Sequence, residues 1–280
     1  MSSCSTLLQH DSQDLLQLPT RDTVNPQFVA LQGNFNVLLS DKITQAVLLQ
    51  DIKQERSVEI TQNSNILNIK DTRKLPFSGP IYVVVNAKNL EVIHFIGKGI
   101  VASNIKKPAH IDLDLTTNSS IVFEDVFDSR YIQLSGTGHV TFKQLHSDYL
   151  VLNVKNSIRA KIIGKINLQY LHLTERAEVS AHWVDSPFIR VITKNSAYAK
   201  LAGTVKILEL AIQDNAKFNG EFLRADKVFV DASDRAKADI YAKDVRNISA
   251  HDTSKVYNHR QTTVRNDSIS MHSAVLDVVR

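Results

Sequence analysis

From residue 89 onward the chain repeats an apolar pair, separated by one residue, at intervals of 18 to 21 residues. A period of that length decides a fold before local propensity does, because each unit is too small to bury its own apolar side and must stack on its neighbours. With units starting at 89, 110, 131, 149, 170, 188, 207, 227 and 247, the first apolar positions are Leu90, Ile111, Ile132, Leu150, Leu171, Ile189, Leu208, Val228 and Ile248. The second are Val92, Leu113, Leu134, Leu152, Leu173, Val191, Leu210, Val230 and Ala250. With 43% hydrophobic residues, eighteen apolar matches would arise by chance on the order of once in a few million trials, before a discount for the choice of starts.

A second apolar anchor follows nine places on, at Val140, Ile158, Val179, Ala197, Ala216, Ala236 and Val256, and eleven places on in the two earliest units, at Ile100 and Ile121. Runs such as Ile158, Ala160, Ile162 alternate with period two, which marks a half-buried strand. Between the strands lie polar turns such as Lys155-Asn156-Ser157 and Lys194-Asn195-Ser196. The pattern predicts an all-β fold: a single-stranded parallel β-helix of about nine coils, right-handed because the strict hexapeptide repeat of the left-handed form is missing. Its expected boundaries are a leader or tether over 1–25, a β-rich N-terminal cap over 26–88, coils over 89–266 and a C-terminal cap or tail over 267–280. A cap is required because a solenoid end is an open sheet edge.

Composition narrows the function. Lysine plus arginine number 33 against 29 acids, a balance of +4 spread along the chain, which is too weak a field to imply nucleic acid. No run of eighteen apolar residues exists to cross a membrane as a helix. The single cysteine, Cys4, excludes an internal disulfide framework and a multi-cysteine zinc site. Its setting, Met1-Ser2-Ser3-Cys4, resembles the end of a bacterial lipoprotein signal and makes Cys4 the candidate lipidation site, with a membrane anchor as the implied partner.

The chain resembles the bacterial auto-transporter adhesin head domain known as the GIN domain, an envelope β-solenoid family. The resemblance rests on the opening strand Phe28 to Leu39 (FVALQGNFNVLL), Val58 to Ile60, Ile81 to Val101 (IYVVVNAKNLEVIHFIGKGIV), Ser135-Gly136-Thr137-Gly138, and the closing Ser254-Lys255-Val256-Tyr257 with Thr262 to Ile269. It implies an exported, often lipid-anchored binding module without known catalytic residues. The family is richer in glycine; here Asn, Asp and Ala fill most turns.

Parallel β-helices also include polysaccharide-degrading enzymes that use paired carboxylates. Asp112 and Asp114, with Glu124, Asp125 and Asp128 one strand later, are the candidates by position; as outward strand positions they read better as a solvated face. His139, His146, His172 and His182 lack convergent ligand spacing, so no metal site and no cofactor is expected. No serine sits in a nucleophile elbow.

The remaining signal is positional. Tyr131, Tyr149, Tyr170, Phe188 and Ile207 occupy the first position of five consecutive units, predicting an outward ladder of rings that either stiffens the rod or contacts a partner. Asn156, Asn195, Asp214, Asp234 and Ser254, seven places after their starts, predict a hydrogen-bonded ladder of turn side chains; the neighbouring Asp214 and Asp234 are a weak calcium signal. The combined expectation is a non-enzymatic envelope lipoprotein, outer-membrane-associated or periplasmic. It would act as a rigid scaffold for other envelope proteins, for instance in a secretion assembly; the alternatives are an adhesin-like module binding glycans or host proteins, and a polysaccharide-active enzyme.

Overall fold

A computed structural model describes residues 25–49, 57–74, 79–105, 110–259, 269–271 and 275–278. Cys4 and most of the expected leader lie outside them. The named elements of the described chain are all strands, and it winds as a parallel solenoid of about eight turns.

Six long strands make the body: β10 (His139–Val154), β11 (Arg159–Leu173), β12 (Glu178–Thr193), β13 (Tyr198–Ile212), β14 (Lys217–Ala232) and β15 (Lys237–Ala250). Each pairs in parallel with the next. Within β12 the inward side chains run Val179, Ala181, then Val184, Ser186, then Ile189, Val191, Thr193. Strict alternation slips by one residue at two places, and each slip is a corner that turns the strand onto a new face. A four-residue turn closes the coil. The interior is one contiguous apolar cluster from Val29 to Val256.

The register follows from the pairing. Ile93, Leu113, Ile132, Leu152, Leu171, Val191, Leu210, Val230 and Ile248 stand above one another. The true unit starts are therefore 92, 112, 131, 151, 170, 190, 209, 229 and 247. Six of the starts read from sequence fall two or three residues early. The two-residue slips leave every inward side chain inward, so alternation alone cannot detect them, whereas the three-residue slip at 89 exchanges the faces, so that Ile93 and not the expected Val92 points inward.

The N-terminal segment set apart as a cap divides in two. β1 (Phe28–Ser40) is itself a rung, pairing in parallel with β6 (Val92–Ser103) from Phe28–Val92 to Leu39–Ser103. Its other edge is covered by β4 (Ile66–Asp71) and β5 (Ile81–Asn86), also parallel. The chain thus lays down β1, builds the end cap, and returns on the opposite side of β1 to continue as β6. The cap's own outer strands, β2 (Val47–Leu49) and β3 (Val58–Asn63), run antiparallel to β5 and β4, a direction that breaks the parallel ladder at its end. β7 (Asp112–Thr117), β8 (Ser120–Asp128) and β9 (Tyr131–Gly136) bridge β6 to β10. At the far end β16 (Lys255–Asn258), β17 (Ile269–Met271) and β18 (Val275–Val278) continue the stack, β17 on β15 and β18 on β16.

Arg73 fastens the end of β4 by a bidentate pair with Asp71, Nε to Oδ1 at 2.9 Å and Nη2 to Oδ2 at 2.7 Å. Burial raises the Asp71 carboxyl, but the guanidinium and the Arg73 backbone N–H together outweigh it and hold the group below the usual aspartate range. A carboxylate favoured in this way stabilises the fold above its unfolded value, roughly 3.9, and that contribution is lost as pH falls through the lower folded value. Asp71→Asn is accordingly expected to lower the urea midpoint of the cap at pH 7 and to leave it nearly unchanged at the acid end of the titration. An equal loss at both pH values would contradict the assignment.

Candidate functional site

The outward surface is where function must sit, since the interior is filled. The five residues expected to form one ring ladder all point outward, but they do not form a single stack. Tyr131, Val151, Tyr170, Arg190, Glu209 and Phe229 share one column, so two of the expected rings are separated by a valine. Tyr149, Phe188 and Ile207 lie two residues earlier in their coils, where Phe188 pairs with Ile207. The two-residue slip of register is the physical reason. Tyr170 meets His172 instead, with centroids 6.3 Å apart; burial, then the Lys194 charge, pushes the His172 imidazole below its ordinary range.

The turn ladder is real and better ordered than the sequence indicates. Asn156, Glu175, Asn195, Asp214, Asp234 and Asp252 all adopt left-handed backbone, with φ between 59° and 66°. The backbone N–H of Asn195 donates to Asp214 Oδ2 at 2.9 Å, that of Asp214 to Asp234 Oδ2 at 3.2 Å, and that of Asp234 to Asp252 Oδ2 at 3.2 Å. Asn156 Nδ2 reaches Glu175 Oε2 and Glu175 N–H reaches Asn195 Oδ1. Asn and Asp tolerate this conformation and their side chains replace a backbone partner, so these turns do without glycine. Ser254 is not a rung: it is buried and donates to the carbonyl of His251 at 2.7 Å. Among the described residues no group of three His, Cys, Asp or Glu side chains is placed to hold a metal.

The candidate catalytic carboxylates are each committed to a bond between rungs. Asp112 accepts the Tyr131 N–H at 3.0 Å, and Asp114 lies 3.0 Å from His94 Nδ1. Glu124 pairs with Lys143, Asp125 accepts the Ser103 N–H, and Asp128 faces His110 Nδ1 at 2.9 Å. His139 and His146 stand exposed on β10, and His182 bonds Ser180 within its own strand.

Sequence reasoning missed the most exposed rings in the described chain. Trp183 is 68% exposed and Phe222 61%. Trp183 is the extra residue of a bulge: Ala181 pairs with Leu201 and Val184 with Gly203, leaving two residues opposite one. Its backbone is left-handed at φ 64°, a conformation a bulky side chain adopts only when its surroundings enforce it. A second bulge, between the Lys200–Asn219 and Ala202–Phe222 pairs, pushes out Phe222. The signal was available as a skipped beat in the alternation, Val179, Ala181, Val184 and Phe218, Gly220, Leu223.

Beside these rings runs a groove of about 660 Å³. Asp185, Thr204 and Arg224 form one outward column of its wall and Pro187, Lys206, Asp226 and Lys243 another. Thr204 Oγ1 donates to Asp185 Oδ1 at 3.0 Å. Ser186, Val205 and Ala225 lie between the two columns with their side chains turned into the core.

The sequence model of the family described as "Putative auto-transporter adhesin, head GIN domain" matches residues 25–261. No protein of curated function matches. A crystal structure from Parabacteroides merdae ATCC 43184, described as a putative adhesin, aligns with a TM-score of 0.48 at 11% identity over 95% of each chain. One from Parabacteroides distasonis ATCC 8503, described as a putative lipid binding protein, gives 0.45 at 12% identity over 92% of this chain and 94% of that one. A putative adhesin from Bacteroides fragilis NCTC 9343 gives 0.33 at 14% identity, with 95% and 96% covered.

Proposed function

The chain belongs to the auto-transporter adhesin head GIN domain family, and from that premise we propose that it is a non-catalytic, adhesin-type binding rod of the bacterial cell envelope. The observation that carries the reading is the outer wall: Tyr131, Tyr149, Trp183 and Phe222 are all at least 40% exposed on a scaffold whose apolar interior fixes them in place. Exposed rings on a rigid support lose little conformational entropy on contact and are enriched at interfaces. The commitment of Asp112, Asp114, Glu124, Asp125 and Asp128 to bonds between rungs supports a binding role over a catalytic one. Of the two binding roles open at the level of sequence, the family favours surface attachment over docking into a secretion assembly.

A lipid on Cys4 would tether the rod to the membrane, and intact-mass measurement of membrane-extracted protein reads that modification directly. Attachment is tested with beads coated with the full chain and offered to intact bacterial and cultured epithelial cells. Adhesion severalfold above albumin-coated beads, abolished by prior heat unfolding of the coat, is expected; adhesion equal to albumin on every surface would overturn the reading.

A further inference from the structure

Trp183 immediately precedes the Val184–Gly203 pair, and Ala202 pairs with Phe222. One corner of the rod therefore carries tryptophan, alanine and phenylalanine on three successive rungs. At about 4.8 Å per rung the two rings stand roughly 9.6 Å apart along the axis, with a small side chain between them. Two bulges in alternate coils are needed to achieve this, one of them holding a tryptophan in left-handed backbone. The packing of the core requires neither ring, since both project into solvent.

The flanking groove supplies the opposite chemistry. Asp185, Arg224 and Asp226 offer bidentate acceptors and donors, Thr204 offers a hydroxyl, and Lys206 and Lys243 add two ammonium groups. A protein partner would need an apolar centre within a patch of about 800 Å² on this side, whereas the apolar surface here is two isolated rings with polar residues beside them. A ligand that repeats about every rung, has flat apolar faces and is fringed with hydroxyls fits both halves. Pyranose chains have that form.

We propose that the Trp183–Ala202–Phe222 corner, with the groove from Asp185 to Lys243, binds a linear oligosaccharide lying along the rod axis. One sugar stacks on Trp183, the next passes over Ala202 and the third stacks on Phe222, while Asp185, Arg224 and Asp226 bond the ring hydroxyls. The inference rests on the adhesin-type reading and specifies its ligand class and its site.

Trp183 is the chain's single tryptophan, so its emission reports on this corner alone. Titration of the full chain with cellohexaose, chitohexaose, hexagalacturonate and a heparin-derived hexasaccharide is expected to give a saturable change in emission with at least one of them. Phe222→Ala should weaken that titration at least about tenfold. Trp183→Gly removes the other ring while suiting the left-handed backbone, and by calorimetry should abolish binding with unchanged far-ultraviolet dichroism. Tyr149→Ala, on a different part of the wall, should leave affinity intact. No emission change with any of the four, or equal affinity in Phe222→Ala, overturns the site. Coated beads separate the two levels: adhesion that survives enzymatic removal of cell-surface glycans retains the adhesin-type reading while ending the oligosaccharide site, and absence of adhesion ends the former.

Discussion

Gly164→Val is expected to destabilise the rod by about 3 kcal/mol or more. Gly164 sits on β11 at φ 148°, and a Cβ built there would lie 2.0 Å from the backbone carbonyl oxygen of Leu145 on the preceding rung. Left-handed strain of this kind costs of order 1–3 kcal/mol by itself. The clash adds to it, because the carbonyl cannot retreat without breaking the β10–β11 ladder. Gly203 repeats the geometry two coils later, at φ 142° with a Cβ position 2.0 Å from Val184 O. Gly79, where an added Cβ would meet nothing within 4 Å, is the control, and Gly79→Ala should shift the urea midpoint by no more than about 0.5 kcal/mol equivalent. A Gly164→Val protein as stable as the Gly79→Ala protein would mean that the corners are not closely packed.

Phe142→Ala is expected to cost about 3–5 kcal/mol. Phe142 is fully buried and stacks on Phe123 of the adjacent rung with centroids 4.6 Å apart and an interplanar angle of 16°; Phe127 meets Phe123 edge-on at 4.9 Å. Truncation empties the middle of the β8–β10 interface. Solenoid stability is close to a sum over neighbouring rungs, so the loss should be local: amide exchange should accelerate over β8 to β11 and change little at β14. Tyr149→Ala, at a position 54% exposed, should fall within about 0.5 kcal/mol of the parent. Uniform acceleration along the whole chain would contradict stacked, nearest-neighbour coupling.

These expectations rest on register, the part of the fold least visible in the sequence. The period near twenty, the inward alternation and the polar turns were legible because each is a local composition signal repeated many times. The stacking of Ile132 on Leu152 rather than on Leu150 was not, because both are apolar and share one parity. The consequence reached the surface, where a supposed ladder of Tyr131, Tyr149 and Tyr170 separated into two columns. The turn positions were legible only in part: Asn156, Glu175, Asn195, Asp214, Asp234 and Asp252 recur at 18 to 20 residues, but Ser254, 20 residues after Asp234, fits that spacing as well, and only the left-handed backbone singles out Asp252. The insertion of β1 between the cap and β6 was hidden because FVALQGNFNVLL reads as a strand with no indication of its neighbours. Trp183 was hidden by being single, since a repeat search rewards what recurs and a bulge is an exception to it.

Spin labels on one outward column test the stacked register most directly. His139, Arg159, Glu178, Tyr198, Lys217 and Lys237 stand on six consecutive rungs. With Cys4 changed to serine, labelled cysteine pairs at 139 and 198, 139 and 217, and 139 and 237 should give narrow distances of about 14, 19 and 24 Å, rising by roughly 4.8 Å per rung. Distances that do not rise by a constant step, or broad distributions for all three pairs, would contradict the parallel stack on which the surface assignment depends.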